Sequence, residues 1–250
     1  MFLLVMICWR RTLTEVMPTA LRVNRLTTGY GTRQVLDQVD LHVSRGEVVT
    51  VIGHNGAGKS TLLKTVFGLL PVWSGEVFFP ELGTAVEPRA LLRHGVGYAP
   101  QGSRVFHRLT VLENLQLSGG VLDASRRLQS VERALELFPV LRGRERQRAG
   151  TLSGGEKQML ALACVMSLDP HLLLLDEPTL GLSPVLAKNA LTRISKIAKN
   201  ASVGCLVVEQ KVRQVLCMAD RVYVLRNGKV TFGGPAVQLA DEAKLREVYL

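Results

Sequence analysis

A chain of 250 residues, of which 47% are hydrophobic, can bury the core of one large α/β domain or of two small ones, which excludes an intrinsically disordered protein. The net charge of +10 favours an anionic partner, whether nucleic acid, the inner face of a membrane or an acidic protein surface, but a solvated basic face accounts for it too, so charge alone does not choose. The four cysteines contain no C-x-x-C pair and two lie in apolar runs, so we expect buried thiols in a reducing compartment rather than a metal cluster.

The first nine residues, MFLLVMICW, are apolar but far shorter than the roughly 20 residues that span a bilayer. Two arginines follow this run, whereas a secretory signal carries its positive charges in front of it. We therefore expect a cytosolic chain without its own membrane span. Met17 begins the stretch MPTALRVNRL, which is typical of the start of a strand, so we hypothesise that residues 1–16 are an artefact of an upstream start site.

Two segments near the beginning alternate apolar and polar side chains. Leu21 to Leu26 and Val39 to Val43 both suit a half-solvated antiparallel sheet at the edge of the core. The stretch TGYGTRQ between them is predicted to be a turn that carries Tyr30. An exposed aromatic side chain at this place is either plain surface or a stacking platform for a purine ring.

The most informative stretch is VVTVIGHNGAGKSTLLKTVFG, at residues 48–68. Its β-branched beginning is typical of a strand buried on both faces of a parallel sheet. The next residues fit G-x-x-x-x-G-K-[ST] between a strand and a helix, where backbone N–H groups enclose a phosphate, Lys59 adds positive charge and the Ser60 hydroxyl suits Mg²⁺. We predict a nucleoside triphosphate site here, in preference to a simple glycine-rich turn.

After the loop helix, the pattern predicts a short strand at Val77 to Phe79, a helix at Pro88 to Arg93 and a core strand at Gly95 to Pro100. Gln101 follows that strand directly, where a glutamine either caps free backbone groups or serves the site. Residues 102–150 are predicted to be an all-helical insertion between two core segments. One helix is expected to begin at the Thr-x-x-Glu capping box of residues 110–113, and a second helix is expected at residues 130–138.

A second candidate anion site lies in TLSGGEKQMLAL, at residues 151–162. Ser153 and Glu156 have capping-box spacing in front of an apolar helix, which by itself indicates only a well-capped helix. Yet Gly154 and Gly155 in its first turn cost roughly 1 kcal/mol each relative to alanine. Because bare backbone at the positive end of a helix binds anions, we interpret this turn as a phosphate contact.

A buried strand at Leu172 to Leu175 ends in two adjacent carboxylates. Alternation directs the side chains of Asp176 and Glu177 to different sides, so they can have different roles. We expect Asp176 to hold the magnesium shell and Glu177 to orient or deprotonate a water. After these carboxylates, we predict a helix that begins at Ser183 and Pro184 and runs to about Lys199, and then a strand, Cys205 to Val208, followed by Glu209-Gln210. A hairpin is predicted next, with strands Arg221 to Leu225 and Lys229 to Phe232 on either side of Asn227-Gly228. The segment Val237 to Leu250 is predicted to contain one or two helices.

The ordered motifs GHNGAGKS, LSGGE and LLLLDEP make the sequence from about Leu21 to Leu250 resemble the ATP-binding subunits of ABC transporters. The resemblance implies an α/β fold of the P-loop NTPase (RecA-like) class, with a parallel core sheet, an N-terminal antiparallel β-subdomain and an inserted α-helical subdomain at about 102–165 within a domain of residues 17–250. It also implies ATP and Mg²⁺ as cofactors.

By that resemblance, Tyr30 stacks on adenine, Gln101 touches Mg²⁺ and the membrane partner, and Glu177 is the catalytic base. Gln210 stands where most members carry a histidine, so it acts only by hydrogen bonding. The phosphates would be enclosed by Gly53, His54, Asn55, Gly56, Ala57, Gly58, Lys59, Ser60 and Thr61. The γ-phosphate of the other subunit would be contacted by Ser153, Gly154, Gly155 and Glu156, and the metal by Ser60, Gln101 and Asp176.

The helical insertion separates the two anion sites within one chain, whereas two chains packed head to tail would place each LSGGE turn over the other's nucleotide. Residues 180–183 would lie at this dimer contact. The implied partners are a second ATPase subunit, homologous or identical, two integral membrane permease subunits and, indirectly, a solute-binding protein, with no nucleic acid. The implied location is peripheral, at the cytoplasmic face of the inner membrane.

Within the family, the strings RVFHRLTVLENL, PTLGLSP, LVVEQ and ADRVYVLRNGKV are most similar to the second ATPase subunit of branched-chain amino acid importers and of their relatives for urea and short amides. The string PQG, where amino acid importers show PEG, leans toward the urea and amide relatives. We predict an ATPase that drives uptake of such a solute. The alternatives are a soluble ABC-type ATPase for iron–sulfur assembly or nucleic-acid repair, which the short insertion and Gln210 disfavour, and a silent regulatory subunit, which Glu177 disfavours.

Overall fold

The computed structural model describes residues 18–84, 86–102, 104–239 and 241–249, so the hypothesised extension at 1–16, and Cys8 within it, lie outside the described residues. In chain order the strands are β1 (Thr19–Tyr30), β2 (Arg33–Ser44), β3 (Val48–Ile52), β4 (Ser74–Phe79), β5 (Gly83–Thr84), β6 (Val96–Ala99), β7 (Leu172–Asp176), β8 (Gly204–Glu209), β9 (Arg221–Arg226) and β10 (Lys229–Pro235). The α-helices are α1 (Lys59–Val66), α2 (Pro88–Arg93), α3 (Val111–Ser118), α4 (Ala124–Leu137), α5 (Gly154–Met166), α6 (Pro184–Ala201), α7 (Val212–Leu216) and α8 (Glu242–Tyr249).

The beginning of the chain forms an antiparallel sheet in the order β2-β1-β4-β5. The alternating segments predicted as strands lie inside β1 and β2, which are longer than expected because the ladder continues to the pair Tyr30 and Arg33. The predicted turn TGYGTRQ is therefore wrong in extent. Only Gly31 and Thr32 lie outside the strands, and Gly31 has a φ of +58°, which permits so tight a reversal.

A six-stranded sheet in the order β10-β9-β3-β8-β7-β6 forms the centre of the fold. From β9 to β6 every neighbouring pair is parallel, and β10 adds an antiparallel edge through the hairpin predicted at Asn227-Gly228. Both turn residues have positive φ, 49° and 79°, as such two-residue hairpin loops require. Every residue of β3, β7 and β8 is buried, because the sheet is covered on both faces.

Successive side chains of the central strands point to opposite faces of the sheet, so they pack into two separate apolar clusters. In β7, Leu172 and Leu174 pack into the cluster that also holds the antiparallel sheet and α1. Leu173 and Leu175 point the other way, into the cluster formed with α3, α4, α5 and α6. The central sheet is thus fixed between two layers, and the carboxyl ends of β3, β8, β7 and β6 meet at one edge.

The cysteines differ in burial. Burial raises the pKa of the Cys205 thiol to about 12 and that of Cys164 to about 11, as expected for inert thiols. Cys217 is exposed, so the expectation of buried thiols is wrong there, because this residue follows the short helix α7 at the surface. Among the described residues, none of the helices is long and apolar enough to cross a bilayer.

Candidate active site

Two glycines of the loop between β3 and α1 leave no room for a side chain. A Cβ on Gly53 would lie 2.2 Å from the Leu225 carbonyl oxygen, and one on Gly58 would lie 2.6 Å from Leu36. Gly58 also has a φ of +106° and stands at the N-cap of α1, where no side chain caps the helix. The positive end of α1 therefore faces the loop with free backbone donors, which is an anion-binding arrangement.

The Lys59 side chain folds back into this loop. Its Nζ donates hydrogen bonds to the carbonyl oxygens of Gly53, at 2.7 Å, and His54, at 2.9 Å. Burial lowers the pKa of the Lys59 ammonium, and three neighbouring carboxylates raise it: those of Glu177, Asp176 and Glu209. Lys59 thus lies among backbone carbonyl oxygens and near three carboxylates.

Ser60 and Asp176 meet across the gap between α1 and the end of β7. The Ser60 hydroxyl donates to Asp176 Oδ1 at 3.0 Å. Burial raises the pKa of the Asp176 carboxyl, and the hydrogen bond from Ser60 opposes this shift. A hydroxyl and a carboxylate side by side offer the hard oxygen ligands that Mg²⁺ prefers, so the donor set fits this metal.

The Glu177 carboxylate is held between two neutral amides. Gln101 Nε2 donates to Glu177 Oε2 at 2.7 Å, and Gln210 Nε2 donates to Glu177 Oε1. These three residues follow β6, β7 and β8, three adjacent parallel strands whose carboxyl ends share one edge. Only 6% of Glu177 is exposed. An acid so placed can orient a water molecule and accept its proton.

A cleft of about 670 Å³ opens above these groups, a size typical of small-molecule sites. Its lining includes ten of the predicted residues: Tyr30, Asn55, Gly56, Gly58, Lys59, Ser60, Thr61, Gln101, Glu177 and Gln210. Gly53 and His54 line an adjoining cleft that shares Asn55 and Gln210, and Ala57 is buried below. Tyr30 is 46% exposed, and the Lys64 ammonium lies 5.9 Å from its ring centroid.

Three residues at this site were not singled out from the sequence. Arg33 and Val35 line the cleft. Arg33 pairs with Tyr30 across the β1–β2 turn, so a correct prediction of the hairpin register would have placed Arg33 beside the site. Glu209 is 2% exposed and accepts hydrogen bonds from Thr179. Its signal was an acid at the end of an otherwise apolar strand.

The LSGGE turn does not join this cleft, since no described residue from 152–156 belongs to the lining. Ser153 caps α5, its hydroxyl accepting from the Glu156 N–H while the Glu156 carboxylate accepts from the Ser153 N–H at 2.8 Å, as the capping-box pattern predicts. A Cβ on Gly155 would lie 2.8 Å from Leu186, whereas one on Gly154 would meet no atom within 4 Å. Nothing inside the described chain explains the absence of a side chain at Gly154.

Comparison with known proteins identifies the family that carries such a site. Residues 36–180, more than half of the chain, match the family described as ABC transporter. The high-affinity branched-chain amino acid transport ATP-binding protein BraG of Pseudomonas aeruginosa is 41% identical over 92% of this chain and 99% of its own length. The probable branched-chain amino acid transport ATP-binding protein LivF of Archaeoglobus fulgidus is 40% identical over 91% of this chain and 97% of its own length.

A solved structure agrees with this assignment. The ADP conformation of MJ1267, an ATP-binding cassette of an ABC transporter, superimposes with a TM-score of 0.82 at 27% identity and covers 92% of this chain and 98% of that one. The predicted P-loop NTPase fold, with its parallel core sheet and its antiparallel N-terminal sheet, is confirmed. The chain therefore belongs to the ABC transporter family, as one of its ATP-binding, ATP-hydrolysing subunits.

Proposed function

We propose that this chain energises the uptake of branched-chain amino acids, or of related small polar solutes such as urea and short amides, through separate membrane subunits. The similarity to BraG and LivF extends over nine-tenths of the chain, and both are described as branched-chain amino acid transport proteins. This favours transport over the alternative of a soluble ATPase for iron–sulfur assembly or nucleic-acid repair. The observation that carries ATP hydrolysis within this proposal is the Glu177 carboxylate, held by two amides beside the phosphate loop, and the similarity to BraG and LivF carries the transport assignment.

In the proposed mechanism, ATP enters the cleft with its adenine against the Tyr30 ring. The loop N–H groups and Lys59 neutralise the β- and γ-phosphates, because Lys59 exchanges its two carbonyl acceptors for phosphate oxygens. Ser60, Asp176 and Gln101 would hold Mg²⁺, and the Ser60 hydroxyl and the Asp176 carboxylate already lie side by side. When bound, the metal would neutralise the negative charge of the phosphates.

Hydrolysis then depends on the groups beside the γ-phosphate. Glu177 orients the attacking water and accepts its proton as the new oxygen–phosphorus bond forms. The bond between the γ-phosphorus and the β–γ bridging oxygen breaks, and ADP leaves with that oxygen. Gln210, beside Glu177, donates to the γ-phosphate. Because an amide does not titrate near neutral pH, it donates in one protonation state throughout.

The remaining proposals concern assembly. The open backbone at Gly154 suits a partner's γ-phosphate, so LSGGE, with Ser153 and Glu156 as its cap, would close over the second subunit's nucleotide, with residues 180–183 at the contact. The second ATPase is homologous or identical, and two integral membrane permease subunits and, indirectly, a solute-binding protein complete the importer. This chain itself lies peripherally, at the cytoplasmic face of the inner membrane. We assign the helical subdomain to about residues 102–165 of a domain that spans 17–250.

The test is the variant Glu177→Gln, which keeps the shape of the side chain and removes the base. We expect ATP binding to persist and turnover to fall by about 100-fold or more, the range of a lost general base. Glu136→Gln, at an exposed position on α4, serves as the matched control and should keep wild-type turnover. Unchanged hydrolysis in Glu177→Gln would remove Glu177 from the mechanism.

A second measurement tests the transport assignment. Purified gently from membranes of its source, the chain should be recovered with apolar integral membrane subunits. Recovery with soluble assembly proteins instead would overturn the assignment to an importer.

A further inference from the structure

Glu209 is a buried acid at the end of β8, between two segments that reach the active site. It is 2% exposed and ends a strand in which every residue is buried. A carboxylate removed from water is costly unless hydrogen-bond donors replace the lost water. Its surroundings therefore show what the position serves.

Three donors converge on this carboxylate. Glu209 Oε1 accepts from the Thr179 N–H at 3.0 Å and from the Thr179 hydroxyl at 2.7 Å. Glu209 Oε2 accepts from the Gln210 N–H at 3.1 Å. Thr179 is completely buried and lies two residues after Glu177. One side chain thus joins the turn that carries Glu177 to the residue whose amide donates to Glu177.

The turn at Glu177 requires such support. Glu177 has a φ of +48°, a backbone conformation that residues other than glycine and asparagine rarely adopt. Such a conformation persists only where the surrounding contacts hold it. The Glu177 N–H donates to the Val208 carbonyl at 2.9 Å, and the Thr179 bonds to Glu209 fix the other end of the turn. Both anchors lie on β8, so this strand sets the position of the Glu177 side chain.

We propose that Glu209 is a positioning residue for ATP hydrolysis, which fixes the turn Glu177–Thr179 against Gln210 so that the Gln210 amide meets the Glu177 carboxylate. This inference rests on the proposed role of Glu177. Only an acid satisfies the site, because all three converging groups donate and both carboxylate oxygens accept. A glutamine has one acceptor oxygen, and its NH₂ group would face either Thr179 or the Gln210 N–H, donor against donor.

The experiment compares Glu209→Gln, Thr179→Val and Thr179→Ser in the full chain with ATP and Mg²⁺. In Glu209→Gln, we expect kcat per bound nucleotide to fall by about 10-fold to 100-fold, since a small misplacement of a catalytic group has effects of this size. The KM for ATP and the Kd of a non-hydrolysable ATP analogue should stay within about threefold, because the residues that line the cleft are unchanged. Thr179→Val, which loses one donor, should slow turnover by about fivefold, whereas Thr179→Ser keeps both donors and should hydrolyse at the wild-type rate.

The outcomes separate this inference from the function on which it rests. Wild-type protein and Glu177→Gln are measured in the same assay, and equal turnover in these two would refute the proposed function. If Glu177→Gln is inactive while Glu209→Gln keeps wild-type kcat per bound nucleotide, and loses only thermal stability, the positioning role is overturned and the function remains. If Glu209→Gln does not fold, the two Thr179 variants decide the question. Slow turnover in Thr179→Val together with wild-type turnover in Thr179→Ser supports the positioning role, and equal turnover in the two variants refutes it.

Discussion

At the scale of single residues, the pKa of a side chain depends on how far the fold removes it from water. Gln101 and Gln210 donate to Glu177 through amides, which do not titrate in the physiological pH range. His171, between α5 and β7, behaves differently because its ring is half-buried. Burial lowers the pKa of His171 from 6.5, the nearby Glu81 carboxylate raises it, and the charges of Arg45 and His94 lower it further.

This shift predicts a pH dependence of stability. The native state binds the His171 proton less readily than the unfolded chain does, so the contribution of His171 to folding is present above pH 6.5 and is lost as the pH falls through 6.5 toward the native pKa. We expect His171→Gln to flatten the change in urea unfolding midpoint between about pH 7.5 and about pH 5.5. His107→Gln, at an exposed histidine, should retain the wild-type slope. An identical slope in both variants and the wild type would refute the prediction.

How far the site follows from the sequence differs from residue to residue. The phosphate loop, Asp176 and Glu177 lie in contiguous strings with the spacing that their chemistry requires, so pattern alone places them. Glu209 and Thr179 are 30 positions apart, and nothing local indicates that they meet. Their contact exists only because β7 and β8 are neighbours in the sheet, with α6 crossing between them. Such a contact is a property of strand order, which a single sequence does not display.

At the scale of elements, prediction succeeds where a pattern is long or chemically specific. The capping box at Thr110 is present, with the Glu113 carboxylate accepting from the Thr110 N–H at 2.7 Å. The hairpin at Asn227-Gly228 is present as well. The two-residue strand β5 and the five-residue helix α7 were not predicted, because segments so short contain little more than one period of the side-chain pattern.

Helix α3 has a second device that the pattern did not indicate. Asn114 is 1% exposed and faces the loop that precedes the helix. Its Oδ1 accepts from the Phe106 N–H at 2.7 Å, and its Nδ2 donates to the carbonyl oxygens of Phe106, at 3.1 Å, and Thr110, at 2.8 Å. One amide therefore binds three backbone groups of the loop that precedes α3.

Replacing this amide should be costly. In Asn114→Ala, the Phe106 N–H loses its acceptor, and the Phe106 and Thr110 carbonyl oxygens keep only their backbone donors, so we expect the free energy of unfolding to fall by about 1 to 3 kcal/mol, measured by urea titration. Gln116→Ala, at an exposed position on the same helix, should change it by less than about 0.5 kcal/mol. A loss in Asn114→Ala no larger than in the control would show that water replaces the amide without cost.

At the scale of the whole molecule, the two candidate anion sites remain apart. The LSGGE turn contributes no described residue to the cleft that holds the phosphate loop. The Gly154 position is open on the surface of the chain, so its lack of a side chain has no internal cause. A second subunit supplies that cause if its nucleotide rests on this turn, as we propose.

The last prediction tests this arrangement in a background that cannot hydrolyse. Glu177→Gln, with its second ATPase subunit if that subunit is a different chain, should form a two-ATPase complex with ATP and Mg²⁺ and separate without ATP, as measured by analytical ultracentrifugation. Adding Gly154→Ala should weaken the complex by about 10-fold or more, since a methyl group at a close phosphate contact costs at least about 1.4 kcal/mol. The fold should be unaffected, because a Cβ at this position meets no atom within 4 Å.

Gly120→Ala provides the matched control for this experiment. A Cβ there also meets no atom within 4 Å, but Gly120 follows α3 and lies outside the LSGGE turn. The control should associate like Glu177→Gln itself. If the Gly154 and Gly120 variants associate equally and are equally stable to heat, the open turn does not face a partner's nucleotide. If a single chain binds ATP with full affinity, no partner is needed for nucleotide binding.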